Sequence, residues 1–306
     1  MIIAVFPGQG SQTPGFLSPW LELDGARERL EVFSEQAGVD LVAAGTEWDA
    51  DQIRDTAVAQ PLIVAASLLS WSALKERATT SVAGVAGHSV GEIAALAASG
   101  VLSDEDALRL VGLRGRAMAE AAATVETGMS AVVGGDETAV LERLEALGLT
   151  PANYNGGGQI VAAGELPALA ELAAEAPRGT RVIPLQVAGA FHTRFMEPAV
   201  ETLRAAAADV RVSDPATTLW TNSDGSVVTE GRRALDLVVA QVSSPVRWDR
   251  CMASFAERGV TGIIELSPAG ALTGLAKRAL RGTPTVAVKS PDDLDAAVSL
   301  LKEDQA

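Results

Sequence analysis

The residues best suited to chemistry stand at positions 87–91, where the sequence reads Gly-His-Ser-Val-Gly. An apolar run precedes this segment and helix-favouring residues follow it, which predicts a strand, a sharp turn and a helix. Glycines two residues either side of a serine are typical of a nucleophile elbow, where a strained turn lifts the hydroxyl out of the sheet edge. Ser89 is therefore the candidate nucleophile. The amide of Val90 is a candidate donor to an oxyanion.

A serine nucleophile needs a general base, and the chain has two histidines. His88 adjoins Ser89 on an extended backbone, so the two side chains should diverge. His192 lies at a predicted strand-to-helix junction, and histidine has an ordinary pKa near neutrality. Taken alone, such a histidine is more often a hydrogen-bonded structural group. Because Ser89 needs a base, we predict that His192 fills this role.

A helix predicted over residues 104–122 has its apolar residues on one face, with Arg114 in the middle of that face. A buried guanidinium needs a partner, because desolvating its charge alone is costly. Two kinds of partner are open. One is a carboxylate of the protein itself, and the other is a substrate carboxylate or phosphate held by two hydrogen bonds.

A glycine-rich loop at residues 7–12 (Pro-Gly-Gln-Gly-Ser-Gln) follows the first predicted strand. Phosphate binding is one interpretation, but neither the Gly-Lys-Ser/Thr ending of a P-loop nor the G-x-G-x-x-G pattern follows. A loop at the carboxyl end of a strand can instead present a backbone amide to an active site. Gln9 is placed to do so.

Strands and helices follow two different orders along the chain. Residues 1–125 and 190–306 alternate in the manner of a parallel α/β sheet with right-handed crossovers, with an apolar helix over 62–74 that opens at Gln60-Pro61. Residues 126–189 read β-α-β-β-α-β, the ferredoxin-like order, and the last of these strands is predicted over 181–187. The glycines at 156–158 predict a hairpin turn. We therefore expect an α/β fold with a large catalytic domain and a smaller inserted one.

Composition narrows the partners and the compartment. The 306 residues carry a formal net charge of −15 at pH 7, which argues against nucleic acid or an anionic membrane as the main partner. We find no basic leader and no apolar stretch of spanning length, and so expect a soluble, cytoplasmic monomer. No histidine or second cysteine lies near the single Cys251 in the sequence. We therefore predict that Cys251 is a buried, apolar residue and that there is no metal site.

Several segments together resemble the malonyl-CoA:acyl-carrier-protein transacylases and the related acyltransferase domains of polyketide synthases. The resemblance spans most of the chain, in the order that the family shows, and it implies a hydrolase-like α/β core with an inserted ferredoxin-like lobe. The matching segments are 7–12 (Pro-Gly-Gln-Gly-Ser-Gln), 87–92 (Gly-His-Ser-Val-Gly-Glu), Arg114 within Leu-Arg-Gly-Arg, 189–192 (Gly-Ala-Phe-His), Gln241 ahead of 244–248 (Ser-Pro-Val-Arg-Trp), and 272–275 (Leu-Thr-Gly-Leu).

The resemblance implies roles for the residues around the nucleophile. Ser89 would be the nucleophile and His192 its base. The histidine would be oriented by a main-chain carbonyl near Gln241, so no acidic third member is expected. The amides of Gln9 and Val90 would form the oxyanion hole.

The resemblance also implies the substrate. Arg114 would hold the free carboxylate of a malonyl group, while Met118 and Val187 would line the acyl pocket. Phe191, before the histidine, would favour malonyl over methylmalonyl. The implied partners are malonyl-CoA and an acyl carrier protein, the implied pathway is fatty acid synthesis, and no cofactor is expected. A basic cluster at Lys277, Arg278 and Arg281 is either a docking site for that carrier or a set of cations complementing a helix dipole.

Three other functions compete with this one. In a thioester hydrolase, water would resolve the acyl-serine, and Arg114 argues against it by selecting a dicarboxylic acyl group. A free-standing acyltransferase of polyketide synthesis would use the same residues. A catalytically inactive scaffold would be expected to have lost Ser89, Arg114 or His192, and all three are present.

Overall fold

The chain folds around two separate sheets, and the structure, a computed structural model, describes residues 1–303. The last three residues of the predicted large domain lie outside that range. In chain order the strands are β1 (Ile2–Phe6), β2 (Gly84–Gly87), β3 (Thr127–Gly134), β4 (Thr150–Gly156), β5 (Gln159–Glu165), β6 (Thr180–Pro184), β7 (Thr218–Trp220), β8 (Val227–Val228), β9 (Gly262–Glu265) and β10 (Thr285–Ala287). The helices are α1 (Ala26–Ala37), α2 (Leu41–Thr46), α3 (Thr56–Arg77), α4 (Gly91–Ala98), α5 (Asp104–Ala122), α6 (Glu137–Ala146), α7 (Leu166–Ala174), α8 (Glu197–Ala208), α9 (Gly231–Gln241), α10 (Trp248–Glu257), α11 (Ala271–Ala279) and α12 (Leu294–Glu303).

The larger sheet has six strands in the order β10-β9-β1-β2-β7-β8. Neighbouring strands are parallel except for the edge pair β7 and β8. β1 lies inside the sheet and all five of its residues are buried, as expected of a parallel strand that has helices on both faces. The predicted α/β class with a parallel-sheet core is confirmed.

Strands β3 to β6 form the smaller, antiparallel sheet in the order β4-β5-β3-β6. With α6 and α7 this is the predicted ferredoxin-like order. Gly157 and Gly158 join β4 to β5 with φ of +57° and +76°, as a two-residue type I′ turn requires. The last strand ends at Pro184 and not at 187, because the amide of Val187 bonds to the carbonyl of Leu185 in a tight turn.

Helix α3 begins earlier than its sequence predicts. The Asp55 side chain accepts from the Ala57 amide at 2.8 Å and caps the helix, so Pro61 lies inside it. At 22 residues, α3 is the one helix in residues 1–303 that is long and apolar enough to cross a membrane. The expectation that the chain has no such stretch is therefore wrong. Most of α3 is nevertheless buried against the rest of the protein, as a core helix is.

The two sheets meet beside the carboxyl ends of the parallel strands. The Val246 amide donates to the carbonyl of Ala152 in β4 at 2.9 Å, and the Tyr154 amide donates back to the Val246 carbonyl at 2.9 Å. Through these two bonds, the segment before α10 pairs with β4. They bring the end of β4, including Asn155, to the turn that follows β2.

Candidate active site

Ser89 occupies a sharp turn between β2 and α4, with a φ of +52°. Residues other than glycine rarely adopt this backbone conformation. The flanking glycines make the turn possible because strand and helix nearly touch. A Cβ on Gly87 would lie 2.1 Å from the Gly91 carbonyl oxygen, and one on Gly91 would lie 2.2 Å from that of Phe6. Both glycines of the motif are therefore sterically required.

Asn222, which follows the adjacent strand β7, holds this strained turn. Its Oδ1 accepts from the Ser89 amide at 2.8 Å, and its Nδ2 donates to the Gly87 carbonyl at 2.7 Å. The Asn222 amide donates to Glu92 Oε1 at 2.7 Å. One fully buried side chain thus fixes both sides of the nucleophile, so the neighbouring strand supports the strain.

Ser89 and His192 meet at hydrogen-bond distance, with Oγ 2.7 Å from Nε2. On the opposite side of the ring, Nδ1 lies 2.8 Å from the carbonyl oxygen of Gln241. A carbonyl can only accept, so Nδ1 carries the proton and Nε2 is free to accept from the serine. Burial, and next the charge of Arg114, lower the pKa of His192 to about 3. His192 is therefore neutral, as a base must be, throughout the physiological range.

His88 faces away from the hydroxyl of Ser89. Its Nε2 lies 2.9 Å from Asn155 Oδ1, and its ring packs edge-on against Trp248. Burial lowers the pKa of His88. This histidine joins the elbow to the smaller sheet and does not serve the nucleophile.

Arg114 is buried on α5 and is bonded by side-chain amides. Its Nη1 donates to Gln60 Oε1 at 2.6 Å and its Nη2 to Gln241 Oε1 at 3.1 Å, while its Nε is buried without an acceptor in residues 1–303. Burial lowers the pKa of Arg114 to about 10, so the guanidinium remains charged at neutral pH. A buried cation with an unpaired donor favours a substrate anion over a structural ion pair.

Glu92 is the nearby carboxyl group that could have neutralised Arg114. It accepts instead from the Asn222 amide and from Gln241 Nε2, which also lies 3.3 Å from the Ser89 carbonyl oxygen. Burial raises the pKa of Glu92 to about 8, against the opposing effects of its hydrogen bonds and of the charge of Arg114. Because the Glu92 oxygens bond to Asn222 and Gln241, Arg114 has no carboxylate hydrogen-bonded to it within residues 1–303.

The amides of Gln9 and Val90 are available beside the nucleophile. β1 pairs with β2, with Phe6 opposite Gly87, so the loop after β1 lies next to the elbow. Neither amide donates to an acceptor within residues 1–303. Unpaired amides beside a nucleophile are what an oxyanion hole requires.

A sequence model of the family described as the acyl transferase domain matches residues 3–305. The chain belongs to this acyl transferase family. This match confirms the resemblance that was drawn from the sequence motifs. Two of those motifs contain Ser89 and His192, whose side chains meet in the structure.

This acyl transferase is similar to individual family members over nearly its whole length. It is 55% identical over 304 residues to the malonyl CoA-acyl carrier protein transacylase of Mycobacterium bovis, which covers 98% of this chain and 100% of the relative. The crystal structure of MCAT from Mycobacterium tuberculosis has a TM-score of 0.94 at 55% identity, covering 97% of this chain and 100% of that one. A malonyl-transacylase in complex with its type II PKS acyl-carrier protein has a TM-score of 0.92 at 30% identity, covering 98% and 99%.

A cavity of about 400 Å³ opens at Ser89 of the acyl transferase. Four other predicted site residues line it, namely Gln9, Val187, Phe191 and His192. The structure thus brings the predicted nucleophile, the predicted base, one predicted oxyanion donor and two predicted acyl-pocket residues to one surface.

The remaining predicted residues, Val90, Arg114, Met118 and Gln241, are buried outside the cavity lining. Gln241 reaches the site through its carbonyl on His192 and its side chain on Arg114. The Met118 sulfur lies 3.4 Å from Gln60 Nε2. Its side chain therefore contacts the same glutamine of α3 that accepts from Arg114, and its place in the acyl pocket stays a prediction.

Sequence reasoning assigned no role to Asn222, Glu92 or Gln60. For Asn222 a signal existed, since it stands just after a strand of the parallel sheet, where functional residues of adjacent strands gather. Glu92 and Gln60 lie within helices and carry no local signal. Their roles follow from tertiary packing.

Cys251 is buried near Asn222, as predicted, with its thiol 3.3 Å from the Thr221 carbonyl oxygen. Burial raises the pKa of this thiol well above its ordinary value, so it is inert as a nucleophile. Within residues 1–303 no group of three or more histidine, cysteine or acidic residues is arranged to bind a metal ion.

Proposed function

We propose that this acyl transferase moves the malonyl group from malonyl-CoA to the phosphopantetheine thiol of an acyl carrier protein. One observation carries the proposal: Gln241 joins the Ser89–His192 pair to Arg114, a buried cation without a carboxylate hydrogen-bonded to it in residues 1–303. The names of the relatives, malonyl CoA-acyl carrier protein transacylases, support the same substrates.

In the first half-reaction, His192 Nε2 takes the Ser89 proton as Oγ attacks the thioester carbonyl carbon. The amides of Gln9 and Val90 donate to the resulting oxyanion. The C–S bond then breaks, and the CoA sulfur leaves with the proton held by His192. The Gln241 carbonyl holds the ring in one tautomer throughout. A low His192 pKa makes the protonated ring a strong acid toward the leaving thiolate.

In the second half-reaction, the thiol of the carrier's phosphopantetheine attacks the malonyl-Ser89 ester. His192 takes the thiol proton and returns it to the Ser89 oxygen as the ester C–O bond breaks. Both halves pass through the same oxyanion, so one set of donors serves both. The kinetics are ping-pong, and the exchange of one thioester for another needs no metal or redox cofactor.

Arg114 gives the reaction its acyl selectivity. A malonyl carboxylate supplies the anion that the guanidinium lacks, and a planar carboxylate can accept two N–H bonds from it. A thioester hydrolase of the same fold would admit water to the acyl-serine. The lifetime of malonyl-Ser89 in buffer distinguishes the two, and a transferase keeps the ester until a thiol arrives.

The proposal extends to organisation and place. Residues 1–125 and 190–306 form the catalytic domain, and residues 126–189 form a ferredoxin-like domain that supplies one wall of the cavity. We place the protein in the cytoplasm as a monomer that serves fatty acid synthesis, with polyketide synthesis as the alternative. Its charge of −15 speaks against nucleic acid and anionic membranes as partners.

The test is the intact mass of the protein after brief exposure to malonyl-CoA. Wild type should gain one malonyl group, whereas Ser89→Ala should gain none. His192→Ala should load about 10³- to 10⁶-fold more slowly, because removing one member of a cooperating pair costs about as much as removing both. Ser299→Ala, an exposed serine on α12, is the control and should load like wild type. Undiminished malonylation of Ser89→Ala would overturn the assignment.

A further inference from the structure

The cavity at Ser89 differs in charge from the rest of the molecule. The chain as a whole carries a net charge of −15, yet none of the residues that line this cavity is a carboxylate. The lining contains one permanently charged side chain, Arg278. The cavity at Ser89 of this acidic protein is therefore lined by a cation and by no acidic side chain.

Arg278 is carried by a well-anchored helix. It lies in the last turn of α11, whose first turn is held by the buried carboxylate of Glu265 through the amides of Leu272 (2.9 Å) and Thr273 (2.8 Å). The hairpin between β4 and β5 closes on it from the other side. A Cβ on Gly157 would lie 3.0 Å from the Arg278 Cβ, so the glycine leaves room for the arginine stem.

Arg278 is exposed, and no hydrogen bond or ion pair joins its guanidinium to another group in residues 1–303. Three other polar residues of the lining, His88, Asn155 and Gln159, are hydrogen-bonded to one another. Asn155 Oδ1 accepts from His88 Nε2 at 2.9 Å, and Asn155 Nδ2 donates to Gln159 Oε1 at 2.9 Å. The donors of Arg278 are therefore free to bind an anion that enters the cavity.

We propose that Arg278 binds the phosphate of the phosphopantetheine arm, which is common to CoA and to the acyl carrier protein. The inference rests on the proposed function. The lining between Ser89 and Arg278 suits such an arm, with the apolar Leu272 and Leu275 on α11 and the amides of Asn155 and Gln159 on the smaller sheet. A guanidinium is well suited to a phosphate, because its planar fork matches two phosphate oxygens.

The test uses three malonyl thioesters that differ in their phosphates: malonyl-pantetheine (none), malonyl-phosphopantetheine (one) and malonyl-CoA. Loading of Ser89 is followed by intact mass at varied donor concentration. In Arg278→Ala we expect KM to rise about tenfold for both phosphate-bearing donors. A tenfold rise corresponds to the low end of the free energy that a hydrogen bond to a charged group contributes. Loading from malonyl-pantetheine should be unchanged. KM for the holo carrier protein should rise as well.

Lys277→Ala is the matched control, since Lys277 is an exposed cation on the same helix and does not line the cavity. It should leave KM for all three donors unchanged. An equal loss with all three donors in Arg278→Ala would make the residue structural, and a loss confined to malonyl-CoA would point to the nucleotide phosphates. Either result, or no loss at all, overturns the proposal. A wild type that takes malonyl from none of the donors would instead refute the proposed function.

Discussion

Two regions that meet at Ser89 differ in whether their polar groups are hydrogen-bonded within the protein. On one side lies an interior network of Glu92, Asn222 and Gln241, whose buried side chains all hydrogen-bond with one another or with the elbow backbone. On the other side lies the cavity lining. There the amide of Gln9 and the guanidinium of Arg278 have no acceptor within residues 1–303.

The difference separates two requirements of catalysis. In the proposed mechanism, Ser89 and His192 must keep one geometry through both half-reactions, and a buried network of satisfied hydrogen bonds provides this without reorganisation. Substrate groups need donors that the protein has not already used. Arg114 is buried outside the cavity lining but combines both properties, because two of its nitrogens join the network through Gln60 and Gln241 while its Nε is unpaired. Substitutions on the two sides should therefore differ in kind.

The largest effect should come from Arg114→Ala, which removes a residue that is bonded to the interior network and still carries an unpaired donor. Truncating one side of a buried, hydrogen-bonded charge pair costs about 2–5 kcal/mol, or roughly 30- to several-thousand-fold. We expect that loss in kcat/KM for malonyl-CoA and a much smaller one for acetyl-CoA, which has no carboxylate to leave unpaired.

Arg116→Ala is the control for this substitution. Arg116 lies two residues away on the exposed face of α5, with its Nη1 on the Ala37 carbonyl, and its loss should leave both substrates unaffected. An equal loss with malonyl-CoA and acetyl-CoA in Arg114→Ala would show that the guanidinium serves the interior network alone.

The same comparison shows which features of the site the sequence predicts. The elbow, Ser89, His192 and the loop at Gln9 are predictable because strand-to-helix turns place them at one sheet edge, and the glycine spacing is a local steric requirement. Both sheets are predictable from the alternation of strands and helices. Arg114 is recognisable as a charge on an apolar helix face, although its partners are not.

The interior network lies beyond local sequence reasoning because strand order creates it. Asn222 reaches Gly87 and Ser89 only because β7 lies next to β2, and nothing in the segment 218–222 specifies that neighbour. The sequence pattern predicts the start of α3 wrongly, for a different reason. Pro61 suggests a helix opening, but the Asp55 cap begins the helix six residues earlier and the core tolerates the proline inside it.

The second prediction concerns pH, since burial and the charge of Arg114 hold the His192 pKa at about 3. Single-turnover loading of Ser89 should stay nearly constant from pH 8 to pH 5, where a base of ordinary pKa 6.5 would lose about 30-fold. Unfolded His192 takes up a proton below about pH 6.5 but the folded residue does not. Its contribution to stability is therefore complete above that pH and is lost as the pH falls toward 3.

Rapid-quench loading between pH 8 and pH 5 measures this directly, with folded protein verified by circular dichroism at each pH. The loss of the nearby charge in Arg114→Ala should move the pKa of His192 upward in that variant. A wild-type inflection near pH 6.5 would show that the base is exposed to water, contrary to the burial seen here.

The third prediction separates the interior network from the cavity lining. Asn222→Ala removes the acceptor of the Ser89 amide and the donor to the Gly87 carbonyl. An unsatisfied buried group costs about 1–3 kcal/mol, so we expect a lower melting temperature and a loading rate lower by about 20-fold with every donor alike. Ser223→Ala, its neighbour, is the control. A loss that depends on the acyl group would place Asn222 in the binding surface instead.

The smallest expected effect lies on the cavity side, at Phe191. Its ring is buried, lines the cavity beside His192 and would occupy the space into which a C2 methyl group projects. Overpacking typically costs about 1–3 kcal/mol, or roughly 5- to 150-fold. Phe191→Ser should therefore narrow the preference for malonyl-CoA over methylmalonyl-CoA by at least about tenfold in kcat/KM. Because Phe191 also belongs to the core, the ratio must be measured on protein whose melting curve shows it folded. An unchanged ratio would transfer the selection to Val187, Val90 or Met118.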